Sequence, residues 1–308
     1  MIGSWLARAL LSTGAHIVAL VQDANPQSEL LRSGDISRIS VVNGELEDFR
    51  TLERAINQYE IDTVFHLGAQ TIVGTAHRYP LSTFEANVRG TYNILEACRI
   101  HTDMVQRVLI ASSDKAYGTH KDLPYSEDMP LLGEFPYDVS KSCADLLSQS
   151  YYHTYRLPIA IARCGNVFGG GDLNWSRIVP GAIRAFLMNE EFVVRSDGSY
   201  VRDFIFVKDV AKAYMNLAES VGKVGVQGEA FNFSLEKPVS AIDLVSLIQR
   251  LTGSEKQKVK IDNTAQNEIH SQFLSASKAH SVLGWNPDYD LERGLRETID
   301  WYSDFLRR

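Results

Sequence analysis

Apolar runs of strand length alternate with amphipathic stretches through the first two-thirds of the chain. The runs cover residues 16–21, 39–42, 63–67, 107–111 and 159–163. Between them, apolar positions at three- and four-residue spacing predict helices over 4–12, 51–59, 83–99 and from 137 onward. Leu6, Ala9 and Leu10 share one face of the first helix, and Gly14 suits its stop. Such alternation predicts an α/β fold, a doubly wound parallel sheet with helices on both faces, whose ligands collect at the carboxyl ends of the strands. After Asn166 the rhythm loosens into glycines, Trp175 and Pro180, a helix over 182–188 and a strand over 192–195. A helix over 209–220 and a strand over 231–234 follow. We therefore expect a cofactor domain at 1–165, to which 203–234 partly returns, and a smaller α/β lobe from 166–202 and 235–308.

Composition narrows the class. The 308 residues carry a net charge of −7, and the densest basic run is the loose Lys256-Gln257-Lys258-Val259-Lys260, which argues against nucleic-acid binding. No apolar stretch reaches membrane-spanning length and no signal segment is visible, so a cytoplasmic enzyme is expected. The three cysteines, Cys98, Cys143 and Cys164, lack metal-ligand spacing, and their odd count suggests reduced thiols and no metal site. Cys164 reads as a small buried residue, and His66 as a packed core histidine.

The chemistry concentrates at two places. Ser112-Ser113-Asp114-Lys115-Ala116-Tyr117-Gly118 closes the apolar run at 107–111, and Pro136-Tyr137-Asp138-Val139-Ser140-Lys141 opens a helix further on. Residues four apart share a helix face, so Lys141 is expected beside Tyr137, favouring a phenolate that takes a proton from a hydroxyl while hydride leaves carbon. Tyr117 and Lys121 share the same spacing but lie in a polar loop, leaving Tyr117 as a packing or wall aromatic. Asp114 and Lys115 add an acid and an amine. Adjacent residues on a strand end point to opposite faces, so both reach one site only if the backbone bends there.

Near the amino terminus, Met1-Ile2-Gly3-Ser4-Trp5-Leu6 reads like the end of a Gly-rich phosphate loop entering its helix. The preceding strand and the first two glycines of such a loop are not in the sequence, and Gly3 keeps only a helix-packing role. A sheet missing a central member, with its neighbours' edges unpaired, and weakened dinucleotide binding are the expected results. Asp23, 20 residues after Gly3, matches a carboxylate for an adenosine ribose and would repel a 2′-phosphate, favouring NAD over NADP.

Several short pieces in a fixed order carry a resemblance. They are His66-Leu67-Gly68-Ala69-Gln70, Asn87-Val88-Arg89-Gly90-Thr91, the Ser113-Asp114-Lys115 triplet, Tyr137 with Lys141, and Arg163-Cys164-Gly165-Asn166-Val167-Phe168-Gly169. Arg202-Asp203-Phe204-Ile205-Phe206-Val207-Lys208-Asp209 and Leu283-Gly284-Trp285-Asn286-Pro287 complete them. Together they resemble the extended short-chain dehydrogenase/reductases, specifically the NAD-dependent nucleotide-sugar epimerases and dehydratases. The Asp-Lys pair is most like CDP-glucose 4,6-dehydratases. The resemblance implies a Rossmann-like fold, NAD as cofactor and a nucleotide-diphosphate sugar as substrate. It implies Ser113, Asp114, Lys115, Tyr137 and Lys141 as catalytic: Ser113 bonding the sugar C4 oxygen, Asp114 as acid, Lys115 as the C5 base. Lys115 would be made neutral by burial near Lys141 and a cationic nicotinamide, and Asp114 kept protonated by a dry pocket. Gly3, Asp23, Glu45, Leu46, Leu67, Gly68, Ala69, Gln70, Tyr137 and Lys141 would meet the cofactor. Asn87, Asn166, Arg177 and Arg202 would meet the substrate, with Trp175 near the nucleotide. A local ion pair with Asp203 is the plainer alternative for Arg202, and a turn or cap role for Asn166 and Asn87. A homodimer is implied through the helices at 83–99 and 137–155, with Leu95, Tyr151, Tyr152 and Tyr155 as contacts. A 4-epimerase on the same fold, needing only Ser113, Tyr137 and Lys141, is the nearest alternative. A cofactor-poor binding protein is another.

Overall fold

Every strand pair in the first half of the chain is parallel, as the alternating pattern requires. The computed structural model describes residues 1–264 and 268–307. The chain opens with α1 (Ile2–Ser12), β1 (Val18–Val21), α2 (Glu29–Arg32), β2 (Ser40–Asn43), α3 (Phe49–Gln58) and β3 (Thr63–His66). Then come α4 (Val73–Arg78), α5 (Pro80–Phe84), α6 (Gly90–Ile100), β4 (Arg107–Ala111), α7 (Pro136–Tyr155), β5 (Ile159–Cys164) and β6 (Asn166–Phe168). The remainder comprises α8 (Ile178–Leu187), β7 (Phe192–Val194), β8 (Val201–Arg202), β9 (Phe204–Phe206), α9 (Val207–Ser220), β10 (Ala230–Phe233) and β11 (Val239–Ser240). It ends with α10 (Ala241–Thr252), β12 (Val259–Ile261), β13 (Ser271–Gln272) and α11 (Leu291–Leu306).

Four strands form the central sheet in the order β10-β5-β4-β3, and β1 pairs with β2 separately. Among the described residues no ladder joins β1 to β3. The period-two alternation of side chains explains the two layers. Val108, Ile110, Ile159 and Ile161 face Leu52, Ile56, Ile94 and Leu95 from α3 and α6. Leu109, Ala160 and Ala162 face Leu6 of α1 and Val210, Tyr214 and Leu217 of α9. Leu20 of β1 packs on the first of these layers, so apolar contact joins the two sheets where hydrogen bonds do not.

The long helix expected over 83–99 is broken. A wide π-type turn over Glu85–Arg89 separates α5 from α6. Two contacts account for the break: the Asn87 amide is drawn onto the backbone of Gln70, and a Cβ on Gly90 would meet Leu46 Cβ at 2.6 Å. Leu95, expected on a subunit contact, is instead fully buried among apolar residues of α3 and β4.

A second apolar cluster gathers Phe168, Val179, Ile183, Phe186, Phe204, Phe206, Leu244, Ile248, Leu295 and Tyr302. The first and last long helices meet over the glycine run that follows β6. Trp5 Nε1 donates to the Gly170 carbonyl at 2.8 Å, and Trp301 lies against Gly170 so closely that any side chain there would overlap the indole. Glu29 ties the same corner together, pairing with Arg8 and accepting from Trp301 Nε1 at 2.7 Å.

Candidate active site

The bend that Asp114 and Lys115 require is present. Ser113 ends the strand segment in extended geometry (φ −158°, ψ 158°), and Asp114–Tyr117 immediately form one 3-10 turn. Ser113 Oγ caps that turn by accepting from the Lys115 N–H at 3.2 Å. Ser142 of α7 donates to the Ala116 carbonyl at 2.9 Å. Tyr117 is wholly buried, its hydroxyl donating to Asn232 Oδ1 at 2.8 Å while accepting from Arg163 Nη1 at 2.8 Å. Arg163 is in turn held by Asp145 through two bonds of 2.8 and 2.9 Å. Tyr117 is therefore a structural anchor of the turn. Gly118 leaves the turn at φ +69°, where an L side chain is strained and would overlap the Leu132 carbonyl.

Pro136 sets the first residue of α7, delivering Tyr137, Asp138 and Lys141 beneath the turn. Lys141 lies one turn along α7 from Tyr137. Its Nζ donates to the Ala111 carbonyl at 2.8 Å, and burial lowers its pKa to about 8. The Tyr137 phenol is pushed up to about 12, chiefly by burial and then by the Asp114 carboxylate, against opposing effects of Arg177 and Ser113.

Both members of the Asp114–Lys115 pair are shifted by their surroundings. Burial raises the pKa of Asp114, outweighing Lys115, Ser113 and Arg202, and favours the protonated carboxyl. Its Oδ1 accepts from Ser113 at 2.9 Å, while Oδ2 is buried with no hydrogen-bond partner. Lys115 is lowered by burial and then by the Arg202 guanidinium, so the like charge acting on it is Arg202 and not Lys141. Arg202 does not pair with Asp203. Its Nη1 donates to the Val201 and His270 carbonyls, both at 2.9 Å, and Nη2 lies 3.7 Å from Glu268. Asp203 instead accepts from Ser234.

The remaining predicted residues divide into three groups. Asp23, Glu45, Leu46, Leu67, Gly68, Ala69 and Gln70 lie just past the carboxyl ends of β1, β2 and β3, with Asp23 exposed and no hydrogen bond or ion pair engaging its carboxylate. Leu46 is wedged beside Gly68 and Gly90, its carbonyl accepting from Asn93 at 3.0 Å. Gly3 sits in the first turn of α1, its nearest neighbour for a Cβ being Leu67 at 3.9 Å. Asn87 is buried, accepting from the Gln70 N–H at 2.7 Å and donating to the Gln70 carbonyl (3.0 Å) and to Ser140 (2.9 Å). With its amide so engaged it braces the loop after β3 and has little left for a substrate. Asn166, in β6, donates weakly to the Asp203 carbonyl (3.4 Å). Arg177 bridges Asp172 (2.9 Å) to Thr71 (3.3 Å) and bears electrostatically on Tyr137. Trp175 packs on Tyr302 and Phe305 in the second cluster.

His66 is a core residue, 3.0 Å from Thr91 Oγ1, its pKa lowered to about 3 by burial and Lys141. Cys164 is buried and its thiol pushed up to about 12. Two residues at the site carry no motif. Asp138, beside Tyr137, is buried, pushed up to about 6 and electrostatically linked to Lys115 and Asp114. Gln272 donates to the Asp114 carbonyl at 3.1 Å. An acid in the first turn of α7 was available as a signal for Asp138; nothing local marks Gln272. Among the described residues no cluster of three metal-ligating side chains occurs, and no helix is long and apolar enough to cross a membrane.

A parallel doubly wound sheet, a serine after its fourth strand, and Tyr137 with Lys141 on the helix below define a short-chain dehydrogenase/reductase of the extended kind. The chain belongs to the GDP-mannose 4,6 dehydratase family, whose model matches residues 1–298. The CDP-glucose 4,6-dehydratase of Salmonella typhimurium is 28% identical across 99% of this chain and 88% of its own length. A UDP-N-acetylglucosamine 4-epimerase from Methanobrevibacter ruminantium superposes with TM-score 0.88 at 26% identity, covering 99% of this chain and 96% of that one. The dTDP-glucose 4,6-dehydratase of Bacillus anthracis, solved with NAD, shares the fold at TM-score 0.86 and 24% identity, over 99% and 94% of the two chains.

Proposed function

We propose that this protein is an NAD-dependent nucleotide-diphosphate-sugar 4,6-dehydratase, acting on a CDP-glucose-like substrate and forming a 4-keto-6-deoxy sugar. The observation that carries the reading is the Asp114–Lys115 pair on the turn after β4, where desolvation favours the neutral acid and the neutral amine. A 4-epimerase has no use for such a pair.

The residues at the strand ends fit NAD by their chemistry: an unengaged carboxylate at Asp23 for ribose hydroxyls, and backbone at Glu45, Leu46 and Leu67–Gln70 pinned in place by Asn87 and Asn93. Tyr137 and Lys141 would meet the reactive end. NAD, when bound there, would supply reversible hydride storage for oxidation at sugar C4 and reduction at C6. Tyr137, once ionised, takes the C4 hydroxyl proton, and Ser113 holds that oxygen. The resulting ketone acidifies the C5 proton, which the neutral Lys115 amine removes. As the C6–O bond breaks, the Asp114 carboxyl donates its proton and water leaves. The Lys115 ammonium then returns its proton to C5, and the proton taken up by Tyr137 passes through solvent to restore the Asp114 carboxyl. Arg202 and Arg177 supply cationic groups for the diphosphate, and Asn166 a further donor.

The free cysteines support a cytoplasmic setting. A homodimer is supported by a shallow apolar groove lined by Val88, Cys143, Leu146 and Leu147, with Leu146 and Tyr155 exposed beside it. The deciding experiment supplies CDP-glucose and NAD and analyses the product. Loss of water with a 4-keto-6-deoxy product is expected. An epimer of unchanged mass would make the protein a 4-epimerase, and no turnover of CDP-, dTDP-, UDP- or GDP-hexoses would reject the enzyme reading.

A further inference from the structure

Gln272 lies on β13, far in sequence from the catalytic turn, and no step above uses it. Its side chain is wholly buried, with Nε2 donating to the main-chain carbonyl of Asp114 at 3.1 Å. Its Oε1 is also buried and has no hydrogen-bond partner. Leucine or methionine would fill comparable space without stranding an acceptor, so packing alone does not account for a glutamine there. The donated bond does. The turn it holds is a single 3-10 turn, a geometry with weak internal bonding that depends on outside fastenings. Ser113, Ser142 and the Tyr117 anchor supply those from within or beside the main sheet. Gln272 reaches in from β13, outside the central sheet, and its strand has little slack: the Tyr125 N–H donates to the Phe273 carbonyl, and the Ser275 N–H to the Tyr125 carbonyl, both at 2.9 Å. In the β13–β8 register Gln272 stands directly opposite Arg202, the cation that bears on Lys115.

We propose that Gln272 is a positioning residue for the elimination step, fixing the Asp114 carbonyl and with it the aim of Asp114 and Lys115, from the same strand pair that carries Arg202. The proposal rests on the dehydratase reading above. It is tested with two variants in single-turnover mixing, where hydride transfer from C4 and loss of water are followed separately. Q272M keeps the length but has no donor. It should slow elimination by about tenfold or more while hydride transfer stays within about twofold, so that NADH accumulates. Q272E keeps the shape and regains a donor only when protonated. Its elimination rate relative to wild type should therefore recover as pH falls, whereas Q272M stays slow at every pH. Unchanged elimination in Q272M, or parallel slowing of both steps in both variants with no pH-dependent recovery, would overturn the proposal. Should wild type eliminate no water, the dehydratase reading fails separately. The positioning role is then read from the Asp114 carboxyl carbon in NMR titrations of the ligand-free protein: Q272M should shift its midpoint, and an unmoved midpoint counts against the role.

Discussion

At Lys115 the ammonium is opposed by burial and by Arg202, while Asp114 and Asp138 act the other way. The expected consequence of Lys115→Met is that C4 oxidation survives and water loss slows. Rapid mixing should show NADH absorbance without 4-keto-6-deoxy product, and normal product formation would remove Lys115 from the mechanism. Asp138 offers a test with a worked sign. Burial pushes its pKa up to about 6, from an ordinary carboxylate value of 3.8. Ionising it therefore opposes folding above pH 6, and the penalty fades as pH falls toward 4. Asp138→Asn should gain on the order of 2–3 kcal/mol at pH 7 and almost nothing near pH 4, as read by urea unfolding at both. The same change removes a carboxylate that helps Lys115 hold its proton, so the acidic limb of the rate profile, which the need for a neutral Lys115 sets, should move to lower pH. A limb that stays in place would mean Asp138 has no hold on Lys115.

Elements with a simple period were legible in the sequence. The strand expected over 107–111 is β4 as drawn, and α7 begins where Pro136 signals it. Ser113, Asp114, Lys115, Tyr137 and Lys141 are likewise local in sequence. What escaped the reading depends on partners remote along the chain. The helix expected over 83–99 breaks because Leu46 crowds Gly90 and Gln70 captures Asn87, and neither contact leaves a mark on periodicity. The use of the Lys141 ammonium on Ala111 is invisible for the same reason. The break has a function that can be probed. Asn87→Ala should cost about 1–3 kcal/mol by leaving the Gln70 N–H and carbonyl unpaired, and should weaken NAD binding measured by calorimetry while leaving helix content unchanged. An unaltered NAD affinity would show that the loop after β3 keeps its shape without this brace.

Across the whole molecule, two features bind distant parts. The groove beside α7 is apolar and open, and Leu146→Asp should turn a dimer into a monomer in light scattering at micromolar concentration; a monomeric wild type would reject the assembly outright. Asp145→Ala should be far more damaging, costing about 3–5 kcal/mol in denaturant unfolding, because it strands the Arg163 guanidinium, 2% exposed, behind the catalytic turn. The corner at Gly170 carries a different consequence. Trp5 and Trp301 come from helices at opposite ends of the chain, yet both close on one glycine, and Glu29 joins them. A ribosome delivers Trp5 long before Trp301, and contacts of such sequence separation form late in folding. The loop next to Asp172 and Arg177 thus gains its second indole only once Trp301 has been made, and the emerging polypeptide carries a half-built corner until then.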